Sequence, residues 1–502
     1  MVLAKAWSVA LYGVDGQLVE IEADIGDGLP GVHLVGLPDA ALHESKDRVR
    51  SAVVNSGWSW PNRRITLALS PATLRKAGSG FDLALACAVL AAAGVGPRAP
   101  LERTVLIGEL ALDGRIRPVR GVLPCLLAAQ RSGARTVVVP SETLPEAAVV
   151  EGLDIRGAER LNEVLAWLRG AATLPAPGPS WVEPGAPAPE LADVVGQDDA
   201  RLALEVAAAG GHHLLLVGPP GTGKTMLAQR LVGLLPLLRP DDALQLAAIR
   251  SVAGRLPMSG PLSTTPPFVA PHHTSSIAAL VGGGSGTARP GAVSLAHRGI
   301  LFLDEAPEFS THLLESLRTP LEDGEVRLAR ADGSVSYPAQ FQLVMAANPC
   351  PCAPAHDRNC VCPSSVRRRY LARLSGPLLD RVDLRARLAP LVALTPAGQP
   401  TESTATVRAR VAAARAAAAE RWAQHGWSTN AEVPGPTLRD QFPLPRSVLL
   451  PLDAGLRRGE LTARGADRAL RVAWTLADLA GQTRPDASMV DRAIAFKEQR
   501  AA

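Results

Sequence analysis

The stretch on which the fold turns is HHLLLVGPPGTGKTMLAQRLVGLLP, residues 212–236. Its apolar run, residues 214–217, has the length of a buried strand, and the run from Met226 onward is rich in helix formers. Between them stand Gly218, Pro219, Pro220, Gly221, Thr222, Gly223, Lys224 and Thr225, which complete the spacing G-x-x-x-x-G-K-[ST]. The glycines let the backbone curl until several N–H groups point at one anion, and the helix N-terminus behind them adds its partial positive charge. The spacing predicts a phosphate loop for ATP. Lys224 would reach the β- and γ-phosphates, and the Thr225 hydroxyl would hold Mg2+.

A second element lies downstream. Ile300-Leu-Phe-Leu is a buried-strand run that ends in Asp304 and Glu305. An acid at that point can orient Mg2+, and the next can polarise an attacking water as general base. Two acids there can also simply cap a helix. A third apolar run, residues 343–347, ends in Asn348 before Pro349. A polar residue at that strand end can help position the water, although Asn before Pro is also a common turn former. Apolar strands alternating with helical stretches predict a parallel sheet covered on both faces.

Outward from this core, residues 173–190 read TLPAPGPSWVEPGAPAPE. Such proline density sustains neither a helix nor a central strand and marks a linker. Before it, LVEIEADI, RRITLALSP and TVVVP read as strands, and FDLALACAVLAAAG and LLAAQRSG as helices. From about Thr401 the chain turns helical and amphipathic. At 502 residues it has room for two to four domains of roughly 100–200 residues each.

Hydrophobic residues make up 47% and charged residues 20%, a globular balance. A formal net charge of +4 permits nucleic acid as a partner without arguing for it. The first residues lack a signal-peptide pattern, and the most apolar window is shorter than the roughly 20 residues of a membrane span, so a soluble cytoplasmic protein is expected. Six cysteines do not make a disulfide framework in a chain this long. Four of them, Cys350, Cys352, Cys360 and Cys362, crowd into 13 residues with His356 between. Two close pairs suggest tetrahedral Zn2+, and free thiols in a loop are the alternative. His272 and His273 invite a metal reading, but in an extended segment adjacent side chains diverge, so they read as structural.

The segment APHHTSSIAALVGGGSGTARPGAVSLAHRGILFLDEAPEF resembles the magnesium-chelatase-like branch of AAA+ proteins. RLSGPLLDRVDL, LTARGADRALRVAWTLADLAG and the N-terminal GLPDAALHESKDRVRSAVVNSG extend the likeness to the ComM/YifB family over nearly the whole chain. The resemblance implies a multidomain α/β chain. Residues 1–172 would be an S5-like α+β domain of the Lon-protease kind, followed by the linker 173–190. Residues 191–392 would be the AAA+ P-loop core, with a parallel sheet and helices on both faces. Residues 393–502 would be a helical lid. It makes Asn348 a "sensor 1" and Arg381 an arginine finger for a neighbouring subunit; a salt bridge to Asp380 or Asp383 is the bland alternative. Arg464, ahead of Arg468, becomes the arginine that contacts the γ-phosphate.

The likeness also implies two insertions. One is a β-loop around residues 272–286. The other is a hairpin around residues 325–337, where Arg327 and Arg330 could meet DNA phosphates. The implied activity is ATP-driven branch migration on single-stranded or branched DNA by a homo-hexamer. A metal-chelatase subunit and a non-DNA remodeller are the alternatives. Proteolysis is not expected. Aligned with the Lon pattern, Gly80 takes the place of the nucleophilic Ser, one position from Ser79, and Leu123 takes that of the Lys.

Overall fold

The computed structural model describes residues 2–74, 76, 78–179, 188–256, 262–284, 288–330, 333–354, 359–390 and 401–498. Part of the proline-rich linker (180–187), His356 and the expected boundary near residue 392 therefore lie outside the described residues, as does the side chain of Arg330.

The N-terminal part is a seven-stranded mixed sheet. Its order is Gly31–Val35, Arg64–Ser70, Asp15–Gly26, Val2–Tyr12, Thr104–Leu106, Thr136–Pro140, Asp154–Ala158. The run Asp15–Gly26 alternates half-exposed and buried positions, which sends Val19, Ile21, Ala23 and Ile25 inward. The helix Asp82–Ala92, apolar all round, is buried on every side against this sheet.

The central sheet has five strands in the order Phe268–Val269, Ile300–Leu303, Gln342–Ala347, Leu214–Val217, Leu384–Arg387, all parallel. Both faces are covered, so its strands need no polar side. Leu214 and Leu216 enter one apolar core, and Leu215 and Val217 enter the other. The second core is closed by Phe309, Leu313 and Leu317. The first is shared with the C-terminal helices: Val407, Val411 and Trp422 of Thr404–Trp422, and Val472 and Trp474 of Ala463–Leu479, pack into it. Among the described residues the helical C-terminal region thus shares this core and forms one wall of the ATPase sheet. No helix among the described residues is long and apolar enough to cross a membrane.

Two contacts fasten the N-terminal sheet to the central unit. The helix Val122–Arg131 packs on Pro240–Ala253. Between them the Glu146 carboxylate accepts the Leu123 N–H at 2.8 Å and the Ser251 hydroxyl. Burial raises the Glu146 pKa, against the pull of both donors. The other contact is the Gly13–Val14 turn. It sits on the antiparallel hairpin Glu325–Arg330/Gly333–Pro338, with Val14 against a small core holding Val252, Tyr337, Leu328 and Val335. A Cβ at Gly13 would meet the Ser336 carbonyl oxygen at 2.5 Å, so only glycine fits.

Candidate active site

The phosphate loop runs from the C-terminal end of Leu214–Val217 to the helix Lys224–Leu234. Gly221 and Gly223 take φ of 76° and 90°, the left-handed region that side-chain-bearing residues avoid. A Cβ at Gly218 would lie 2.8 Å from the Leu388 carbonyl oxygen. The Thr222 hydroxyl donates to the Pro219 carbonyl at 2.8 Å and ties the loop to itself.

Lys224 is buried and folded back on the loop. Its ammonium donates to the carbonyls of Gly218 (2.6 Å) and Pro219 (2.8 Å) and to Oδ1 of Asn348 (3.0 Å). Burial lowers its pKa, partly offset by Asp304 and Glu305. The Thr225 hydroxyl donates to Asp304 at 2.8 Å. That hydroxyl and carboxylate are the hard oxygen pair a Mg2+ ion takes, so the residues fit the ion. Glu305 is exposed and has φ of 50°, an unusual backbone for a glutamate. Such strain is held by its surroundings and tends to gather at working sites. Lys224, Thr225, Asp304 and Asn348 thus form one connected set, with Glu305 beside Asp304.

His273 belongs to this site as well. The segment at 272–274 is a turn, not extended chain, so the two histidine rings lie together, 4.2 Å apart, rather than diverging. His273 Nδ1 is 3.9 Å from the Glu305 carboxylate. Adjacent histidines gave no sign of this, because only the turn brings one of them to the acid.

Arg381 and Arg464 are elsewhere. In the sheet Leu214 pairs with Leu384, and the two strands run parallel. Arg381, three residues before Leu384, is therefore at the N-terminal end of the sheet, opposite its own phosphate loop. It is 7% exposed and pairs with neither Asp380 nor Asp383; its partners are Glu322 and the Pro377 carbonyl. Burial, then the charges of Arg318, Arg468 and Arg464, lower its pKa. Arg468 donates to the Arg381 carbonyl (2.8 Å) and to Asp383 (2.6 Å), and Lys497 donates to the Val382 carbonyl (2.8 Å). Burial alone would raise Asp383, but Arg468 and the His212 contact hold the carboxyl well below the usual range. Arg464 is exposed one turn before Arg468 on the same helix.

The four thiols converge: the sulfurs of Cys350, Cys352, Cys360 and Cys362 all lie within 4.8 Å of one another. The Cys350–Cys352 separation is 3.2 Å, Cys350–Cys360 3.4 Å and Cys352–Cys360 3.6 Å. Four sulfurs at about 2.3 Å from one zinc stand somewhat under 4 Å apart, so the set fits a tetrahedral ion. Hydrogen bonds from Cys350 and Cys362 draw Cys352 down to about 7, while burial pushes Cys350 up to about 12.

In the N-terminal sheet the Ser79 hydroxyl donates to the Glu109 carboxylate. Lys76 is fully buried, with its ammonium on the Gly36 and Pro71 carbonyls. Leu123 is buried in an apolar core. Ser79 is thus bound to an acid rather than to an amine base.

A parallel sheet with a phosphate loop after one strand, an acid pair after another, and a polar residue ending the strand between them defines a P-loop ATPase of the AAA+ kind. Family comparison agrees. The magnesium chelatase subunit ChlI family matches residues 190–394, its companion for subunit ChlI matches 21–143, and its C-terminal family matches 401–497. An uncharacterised Mycobacterium tuberculosis protein is 61% identical over 99% of both chains. YifB of Escherichia coli is 41% identical over 95% of this chain and 94% of its own. Competence protein ComM of Haemophilus influenzae is 40% identical over 96% and 95%. The chain belongs to the YifB/ComM family of magnesium-chelatase-like AAA+ ATPases.

Proposed function

We propose that this chain is the subunit of a hexameric, ATP-driven DNA motor that moves branched recombination intermediates during natural transformation. The observation that carries the ring is the split of the hydrolytic groups. Each chain has a phosphate loop at one end of its sheet and a buried arginine at the other, so a full set needs two chains. Gly218–Thr225 bind the nucleotide, and Thr225 and Asp304 hold Mg2+, which neutralises phosphate charge when bound. Glu305 takes the proton of the attacking water, Asn348 orients that water, and Arg381 and Arg464 of the adjacent copy balance charge on the transferring phosphoryl group. The DNA assignment rests on the likeness to ComM, a competence protein, and on the hairpin that carries Arg327. The cysteine cluster holds one Zn2+ and fixes the loop that follows Asn348. Residues 1–172 serve as a non-proteolytic module, and the protein works in the cytoplasm.

The test is the ATPase rate with and without single-stranded and forked DNA, with Glu305→Gln as control. Strong stimulation that the variant lacks supports the motor. A rate indifferent to DNA removes the DNA assignment and leaves a chelatase-type or protein-remodelling ATPase. Elemental analysis should find about one zinc per chain; a value near zero ends the zinc assignment.

A further inference from the structure

Cys362 is followed at once by Pro363 and by the helix Ser364–Leu371, whose sequence is SSVRRRYL. Three consecutive arginines on a helix of 3.6 residues per turn fan over about 200° of its circumference. Arg368 and Arg369 are exposed and Arg367 is half-exposed, whereas Tyr370, next in the chain, is 5% exposed and anchors the helix. Among the described residues no carboxylate pairs with Arg367, Arg368 or Arg369. Elsewhere in this chain Arg318, Arg373, Arg410 and Arg421 each have an acid within reach. Beside the three arginines, between Cys360 and Cys362, Val361 is 85% exposed, an apolar side chain held out on a loop whose ends the thiols gather.

We infer that Val361 and the helix Ser364–Leu371 form a single-stranded nucleic-acid contact, with the arginines on phosphates and Val361 against a base. Two features favour this ligand over others. A free phosphate or nucleotide would use the charges and leave Val361 unexplained, while a single strand offers both phosphates and apolar base faces. A second copy of this chain carries the same net charge of +4 and presents no overall acidity to match three neighbouring arginines.

The contact is also wired to the ATP site. The loop starts two residues after Asn348, and Arg373, just past the helix, donates to the Pro307 carbonyl at 3.1 Å and to Glu308 at 3.2 Å. A strand bound here therefore pulls on segments that begin at the water-orienting Asn348 and at the acid pair.

This inference rests on the DNA-motor reading, and its test separates the two. Binding of a fluorescent oligothymidine to the full-length protein is titrated from 50 to 300 mM NaCl, for wild type, for the triple variant Arg367→Gln/Arg368→Gln/Arg369→Gln and for Val361→Ser. The arginines are outside the catalytic set, so DNA-free ATPase activity should be unchanged. In the triple variant the slope of log K against log salt should become shallower by roughly 0.7 per lost contact, about 2 in all. Its affinity near 100 mM salt should fall about tenfold or more. Val361→Ser should weaken binding at an unchanged slope. Binding by wild type that the triple variant matches in slope and affinity overturns this inference and leaves the motor reading standing. Loss of ring assembly in the triple variant, with the slope unchanged, assigns the arginines to a subunit contact and likewise overturns it. No binding by wild type overturns both.

Discussion

The two ends of the central sheet are built on opposite plans. At the C-terminal end of the strands, Lys224, Thr225, Asp304 and Asn348 satisfy one another through bonds that a nucleotide and its ion would replace. Glu305 there is exposed and in a strained backbone. At the N-terminal end, Arg381, Asp383, Arg468 and Lys497 are packed in and locked by bonds to one another and to the backbone. One end is provisional and the other is fixed. In the proposed ring, an arginine that stabilises charge on a neighbour's phosphate would gain by being held still before the reaction, because no reorganisation is then needed. A group that must take up a ligand gains from partners it can leave.

Four experiments can break or sharpen this contrast. The largest effect should come from Arg381→Ala, which should lower ATP turnover about 10³-fold or more with nucleotide affinity little changed. Steady-state kinetics beside nucleotide binding checks this. An equimolar mixture of Arg381→Ala and Lys224→Ala chains should regain activity that neither has alone. A mixture as inert as its components would show that the two ends do not serve one site.

Next comes Glu305→Gln, expected to reduce turnover about 10²-fold or more while ATP binding persists. His273→Ala should have a smaller effect in the same direction, since His273 stands at 3.9 Å from the acid rather than in the reaction. Equal losses in the two variants would contradict that order.

Third, Asp383→Asn should destabilise the fold by about 3 kcal/mol, because it removes the buried carboxylate that pairs with the half-buried Arg468. Chemical denaturation measures it. The Asp383 carboxyl lies below its ordinary range when folded, so its contribution is present above about pH 4 and is lost as pH falls further.

The smallest effect should be that of His297, also at the N-terminal end. It is 1% exposed; its Nε2 is 2.7 Å from Gln245 Oε1 and its Nδ1 accepts the Gln340 N–H at 3.1 Å. The bond at Nδ1 needs the neutral ring, because a protonated Nδ1 cannot accept the Gln340 N–H. Burial, with Arg298 nearby, lowers its pKa to about 4. The unfolded chain therefore takes up the proton first, and stability should drop as pH falls from about 6.5 towards 4, by at most about 1.4 kcal/mol per pH unit. His297→Gln should flatten the melting temperature in that window; an unchanged slope would remove His297 from the account.

Sequence reading named residues at both ends, but it gave the arrangement of the provisional end only, for a physical reason. A phosphate loop is local: its function depends on backbone torsions within eight residues, and fixed glycines betray it. Asp304, Glu305 and Asn348 were legible because apolar strand runs lead into them. The position of Arg381 depends instead on the parallel pairing of Leu214 with Leu384, which no local pattern contains. Its partner Glu322 is 59 positions away and its clamp Arg468 is 87. The approach of His273 to Glu305 was not legible because the segment is a turn where the sequence suggests extended chain. The thiol cluster was legible as spacing, but its convergence was not, since Cys352 to Cys360 must be closed by the fold.

The seat of the hairpin on the Gly13–Val14 turn has a mechanical consequence. A hairpin free on both faces can swing as a light arm, at the cost of a few backbone torsions. This one leans on the rim of a seven-stranded sheet, through a glycine with no room for a single added carbon. Any stroke of the hairpin wider than the slack in that contact must either drag the whole N-terminal sheet with it or unseat itself. The N-terminal sheet would then be ballast and bearing at once, limiting how far the arm could travel.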